Sequence, residues 1–213
     1  MRTAGFFEIM IGSLIFMAIV SAILILGPRI GSRNRYKKWN DYLEEDKAAN
    51  TARRRDVEPE FFYTPDIDSL PINDDAEEKI KEKQEKVIRC AENTMVLFPE
   101  KRTNIELKKA YGVANLEKVV GYEENYQRYI SALIEWAEAL IEHNNSEDAA
   151  EILEKTVEMG SEFRKTYTHL ADYYASKGNS QGLNYLMDKV AELFTDEGIK
   201  QRLLQYIMDK KEG

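Results

Sequence analysis

The sequence predicts an all-α chain: an N-terminal single transmembrane helix followed by an α-solenoid of antiparallel helix pairs. Three observations point there. A stretch in the C-terminal half matches itself at an interval of 34 residues. Twenty consecutive residues, Ile9 to Pro28, carry no charge and are dense in Ile, Leu, Val, Phe and Met. Charged residues make up 32% of the 213, with only 11 Gly and 5 Pro, a composition that suits solvated helices better than strands and turns.

The internal match is the most informative element. Leu133, Trp136, Ala137, Leu140, Ala149 and Leu153 recur as Tyr167, Leu170, Ala171, Tyr174, Leu183 and Met187, each 34 positions on. The first four of each set sit at i, i+3, i+4 and i+7, which places them on one face of a helix. Ala137 and Ala171 are small positions where a neighbouring helix can come close. Asn144-Asn145 and Gly178-Asn179 supply turn chemistry at matching places. Ser146, followed by Glu147 and Asp148, and Ser180 in the second copy can cap the return helices.

This pattern resembles the tetratricopeptide repeat family over about a third of the chain. The first-helix positions fit at Trp136-Ala137, Leu170-Ala171, Leu140 and Tyr174. The family's turn glycine is present as Gly178 and replaced by Asn144. Its second-helix alanine is present as Ala149 and replaced by Leu183, and its closing proline is missing from both copies. The resemblance implies a helical domain over 76–213, with repeats at 130–163 and 164–197 and a capping helix at 198–211. Each helix pair leaves an apolar side open, so neighbours must stack.

At the other end, the run 9–28 is long enough to cross a bilayer core of roughly 30 Å. A cleavable signal peptide with Val20-Ser21-Ala22 at its site is the alternative. The apolar run continues through Leu26, which favours an uncleaved anchor. Arg29, Arg33, Arg35, Lys37 and Lys38 follow the run and only Arg2 precedes it. The positive-inside rule then places the N-terminus outside the cell membrane and the C-terminal domain in the cytoplasm. Tyr36, Trp39 and Tyr42 would lie at the membrane interface or pack on the body.

Residues 29–75 form a juxtamembrane segment and a linker containing Pro59, Pro65 and Pro71. Arg53-Arg54-Arg55 reads as a solvated charge run, with anionic lipid as the other option. Phe61-Phe62-Tyr63 would pin the linker onto the helical body or dock on another protein. Asp74-Asp75 is expected to open a helix with Ile80, Val87, Ile88, Ala91 and Met95 on one face, closed at Phe98-Pro99. Residues 103–120 read as one or two short helices interrupted near Gly112. Gly121 is expected to break the chain before a helix from about Glu123 to His143.

Charge and motif content narrow the function. Residues 1–55 carry ten Lys/Arg against five Asp/Glu, a net of +5, and residues 56–213 carry twenty against thirty-three, a net of −13. A body this acidic argues against nucleic-acid binding. The single cysteine, Cys90, makes neither an internal disulfide nor a cysteine zinc site. No catalytic, cofactor-binding or metal-ligating pattern is present, and His143 and His169 belong to different helices, so no enzyme is expected.

The expected function is a membrane-anchored adaptor or scaffold that binds a protein partner at the cytoplasmic face, touching the bilayer through residues 9–28. The alternative is a self-associating structural membrane protein, with Ala18 and Ala22 as a small-residue packing pair in a homo-oligomer. In the repeat family the first helices line a partner-binding groove. By register the resemblance places Ser131, Ile134, Glu138, Ile141 and Glu142 there, followed by Lys165, Thr168, Asp172, Ala175 and Ser176. Glu138, Glu142 and Asp172 make that groove acidic, which suits a basic or amphipathic partner segment.

Overall fold

The computed structural model describes residues 38–212. They fall into two units: 38–56 with Arg102–Leu116, and Val57–Lys101 with Glu117 onward. In the first unit, helix α1 covers 38–49 and α3 spans Asn104–Tyr111. In the second lie a short turn of 3-10 helix (Pro59–Phe61), strand β1 (Phe62–Tyr63), α2 (Glu78–Ala91) and strand β2 (Met95–Val96). The long helix α4 (Val113–Glu142) precedes α5 (Ser146–Glu158), α6 (Arg164–Ser176), α7 (Ser180–Leu193) and α8 (Glu197–Glu212).

The expected transmembrane helix, 9–28, lies outside the described residues. Among the described residues no helix is long and apolar enough to cross a membrane. Even the 30-residue α4 carries Glu117, Lys118, Glu123, Glu124 and Arg128, charges that a bilayer interior would not tolerate. The fold class is therefore corrected to a helical one, with no membrane span among the described residues. The single-pass localisation, with its outside N-terminus and cytoplasmic domain, is unsupported and is withdrawn. Trp39 and Tyr42 stack on each other at 5.8 Å and stay exposed, while Tyr36 lies outside the described residues.

In the first unit, Thr103 and Glu106 form a reciprocal capping box that starts α3. Ion pairs from Lys108 to Asp46 and Lys109 to Glu45, both 2.6 Å, tie α3 to α1. The chain reverses at Gly112, where φ is +80° and a Cβ would meet the Arg53 carbonyl oxygen at 2.9 Å. Only glycine meets both demands. The Arg53-Arg54-Arg55 side chains are exposed, while the Arg55 amide donates to the Tyr111 carbonyl at 3.1 Å.

In the second unit, the aromatic segment docks on the body. Phe62 pairs with Val96 and Tyr63 with Met95 in an antiparallel two-strand ladder. Phe61 meets Phe98 edge-on, Phe62 meets Tyr122, and Tyr63 meets Tyr126 and Tyr129. This pairing ends α2 early, at Ala91 rather than at Phe98. Helix α2 also starts later than expected: Asn73 accepts from the Asp75 amide in a side-chain turn, and the helix opens at Glu78. Gly121 does not break α4, because buried Val119 and Tyr126 on either side outweigh a helix-propensity cost of about 1 kcal/mol.

The 34-residue register is a register of burial. Leu133, Trp136, Ala137, Leu140, Ala149 and Leu153 are all buried, and so are Tyr167, Leu170, Ala171, Tyr174 and Leu183; Met187 is half-buried. The turns match as closely. Asn144 (φ +61°) and Gly178 (φ +64°) share a left-handed conformation. The next amides reach back alike, Asn145 to the Leu140 carbonyl at 2.9 Å and Asn179 to the Tyr174 carbonyl at 2.8 Å. The caps of α5 and α7 are these asparagines and not Ser146 and Ser180: Asn145 accepts from the Asp148 amide, and Asn179 from the Gly182 amide. Helix α6 packs against α5, α7 and α8, and α8 shows a polar outer side, as a capping helix should.

One substitution between the hairpins is compensated. Tyr174 replaces Leu140, and a Cβ on Gly182 would lie 2.7 Å from the Tyr174 ring; the residue equivalent to Gly182 is Asp148. Gly182→Ala should therefore destabilise the chain by about 1–3 kcal/mol through overpacking. In a Tyr174→Leu background the same change should be neutral or stabilising by up to about 1 kcal/mol. Denaturant unfolding of the four variants checks this, and a cost of Gly182→Ala that is the same in both backgrounds would refute the compensation.

Candidate partner-binding face

The expected groove residues come from α4 and α6, and the structure separates them. Ile134 is buried in the core and offers nothing to a partner. Ser131 and Thr168 are half-buried, and the Thr168 hydroxyl donates to the Lys165 carbonyl of its own helix at 3.1 Å. Glu138, Glu142, Lys165 and Asp172 do reach the face, but none stands as an isolated charge.

Each acid has a cation. Lys165 Nζ reaches both Glu138 oxygens, at 2.8 and 3.1 Å, and His169 Nε2 lies 3.2 Å from one of them. Glu142 is bonded by Lys79. Asp172 accepts from the Tyr206 hydroxyl and from Lys210, both at 2.8 Å. Glu135, one turn before Glu138, is shared by Lys86 at 2.8 Å and Lys83 at 3.0 Å. Lys79 pairs near the end of α4 and Lys86 a turn or two earlier, so α2 runs antiparallel to this part of α4. The lysines sit at i, i+4 and i+7 of α2, a stripe visible in the sequence. What the sequence conceals is that the stripe faces α4.

The result is a polar seam. Repulsion among gathered acids, the basis for expecting a basic partner, is removed by the chain's own cations. Bonds from Lys86, then from Lys83, hold the Glu135 carboxyl below the usual carboxylate range despite partial burial. Burial pushes Glu138 up, but the bonds from Lys165 and His169 outweigh it and its carboxyl also sits low. Lys79 lowers Glu142 in the same way, and Asp172 raises Lys210.

Beside the seam is a concave site. A cavity of about 230 Å³ lies among the end of α4, the start of α5 and the middle of α6. Ile141, Ala149, Ala150 and Leu153 give it apolar walls, while His169, Asp172, Tyr173 and Ser176 supply polar groups. Ile141, Asp172 and Ser176 are expected groove residues, so the structure does bring part of that set together. His169 and Tyr173 were not expected there; both fall on the Asp172 face of α6 at helical spacing, which is the signal that marks them. Cys90 is half-buried against the core. Among the described residues no group of three or more His, Cys, Asp or Glu is placed to hold a metal ion.

Compared with known proteins, the chain matches no family model, no curated protein and no solved structure.

The seam gives stability a pH dependence. A carboxyl held low in the folded state stabilises above the ordinary value of about 4.5, and that contribution is lost as pH falls through the folded value. Lys86→Met keeps the aliphatic stem and removes the charge. It should cost about 0.2–1 kcal/mol near pH 7. The difference from the parent chain should shrink as pH falls below about 4.5, as urea unfolding at a series of pH values would show.

Proposed function

We propose that this chain is a tetratricopeptide-like helical-repeat adaptor that holds an amphipathic segment of a protein partner. The observation that carries this is the cavity at α4, α5 and α6, on the face where such repeats present their first helices. Its walls are mostly small or apolar, so an apolar side chain of the partner can enter and lose water contact. His169, Asp172 and Ser176 at the same place offer polar contacts to the partner's backbone, which would fix orientation more than add affinity.

Two further features support the reading. Matching burial and matching left-handed turns at 34-residue spacing are what stacked helix–turn–helix units require. The rest of the face is already neutralised by internal ion pairs, so a strongly basic partner would have to displace Lys79, Lys165 or Lys210 from their carboxylates. An amphipathic segment with an apolar anchor avoids that competition.

Ser176 is exposed at the end of α6 and lines the cavity. Ser176→Trp should fill the entrance. Partner capture by the full chain, measured against the isolated partner, should weaken by at least about tenfold, the loss of one good anchor, with an unchanged melting temperature. Affinity should vary little with salt, because the charges on the face are paired within the chain. Undiminished binding by Ser176→Trp would place the partner elsewhere.

A further inference from the structure

Arg53, Arg54 and Arg55 are consecutive exposed cations of the first unit, and the backbone beneath them is fixed at both ends. The Arg53 carbonyl oxygen lies against Gly112, so close that a Cβ there would stand 2.9 Å from it. The Arg55 amide donates to the Tyr111 carbonyl at 3.1 Å. The Arg55 carbonyl accepts from the side-chain amide of Asn115, which is 3% exposed. A buried asparagine and a glycine of positive φ thus hold in place a tripeptide whose side chains all point to solvent. None of the three guanidinium groups makes an ion pair or hydrogen bond among the described residues.

This sets them apart from the lysines around them. Lys108 and Lys109 of the same unit are taken by Asp46 and Glu45, and the lysines of the seam by glutamates. Three adjacent like charges repel one another, and a clamped backbone limits how far they can spread. The fold itself gains nothing from that arrangement, whereas an anionic ligand does. Each guanidinium is a planar fork of N–H donors that matches a carboxylate with two parallel bonds, which a lysine cannot do. The ordering of the backbone is already met on folding, so a ligand does not meet that cost again.

The charge of the rest of the chain decides among anions. Residues 56–213 carry a net −13. Nucleic acid or an anionic bilayer extends far beyond the screening length of about 8 Å and would meet that repulsion. A short acidic stretch has to approach the arginines alone. We propose that Arg53, Arg54 and Arg55 form a docking site for an acidic segment of a protein partner, its carboxylates gripped by the guanidinium forks. The site is separate from the cavity at α4, α5 and α6 and does not rest on the adaptor reading.

The test is fluorescence anisotropy of a fluorescein-labelled peptide of alternating glutamate and serine, titrated with the full-length chain. Binding should saturate and should weaken as salt rises. Joint replacement Arg53→Gln, Arg54→Gln and Arg55→Gln touches only exposed side chains and should keep the circular dichroism of the parent. It should lower affinity at least about tenfold. Joint replacement of the same three by Lys keeps the charge and loses the fork, and should lower affinity at least about threefold. Asn115→Ala leaves every charge in place and frees the Arg55 carbonyl, so a folded Asn115→Ala chain should also bind more weakly. Arg164→Gln with Arg202→Gln, exposed cations elsewhere, should leave affinity within about twofold. Ser176→Trp should leave it unchanged as well, which separates this site from the cavity. Equal binding by the triple Gln variant would overturn the proposal. So would single-stranded DNA or phosphatidylserine vesicles binding the parent chain more tightly than the peptide and losing that advantage in the triple Gln variant.

Discussion

The complete burial of the small residues Ala137 and Ala171 is the constraint on which the C-terminal body rests. Both alanines are fully buried, flanked by Trp136 and Leu140 in one hairpin and by Leu170 and Tyr174 in the next. A larger side chain at either alanine would push the helices apart and open cavities beside every large neighbour, since interiors at crystal-like density do not absorb such a change. The same geometry is met by different residues in the two hairpins. Leu140 stands with Asp148 in the first hairpin where Tyr174 stands with Gly182 in the second, and the Tyr174 ring lies where a side chain on Gly182 would begin. Degenerate sequence and regular structure are compatible because stacking constrains the sum of facing volumes, not each residue.

Once that core is set, the outward stripe of α4 has little choice of partner. Glu135, Glu138 and Glu142 emerge at i, i+3 and i+7, between the lysines of α2 and the Lys165–His169 pair of α6. Each pair is at least partly exposed and contributes little alone. Together they tie α2 to α4 at Glu135 and at Glu142, two turns apart. By neutralising the face, the seam turns recognition toward shape and apolar contact.

Much of this was legible in the sequence, and the losses have physical causes. Burial at the repeat positions follows from helical periodicity, a local property, and the left-handed turn at Asn144 follows from its equivalence to Gly178. Helix ends were less legible. Asn145 and Asn179 outcompete the serines after them as caps because their side-chain oxygens reach the third amide of the following helix from the residue that leaves the turn. The end of α2 could not be read locally at all, since Met95 and Val96 are taken by the aromatic segment more than thirty residues earlier. The expected acidic groove failed for a related reason. Register places Glu138, Glu142 and Asp172 on the outward face, but only tertiary structure shows which cations share it. Trp136 was recognised as a core residue, whereas the unpaired N–H of its buried indole is a property of the folded environment alone.

The docking of Phe61-Phe62-Tyr63 on the body changes where recognition can happen. With that segment engaged in strand pairing and ring contacts, it is not free to act as a peptide for another protein, and the concave sites of the second unit become the surfaces of interest. Two cavities of that unit draw on the same hairpin. Leu140 and His143 line one and Ile141 the other; Asn145 and Asp148 line the first, Ser146 and Ala149 the second. Alternate residues of a single turn therefore form the walls of two cavities on opposite sides. The positive φ of Asn144 and the back-bond from the Asn145 amide to Leu140 hold that turn in place. A residue that could not adopt the left-handed conformation at 144 would rotate the first turn of α5 and disturb both cavities together, which makes this short connection the point where the stacking of the core and the shape of the binding surfaces meet.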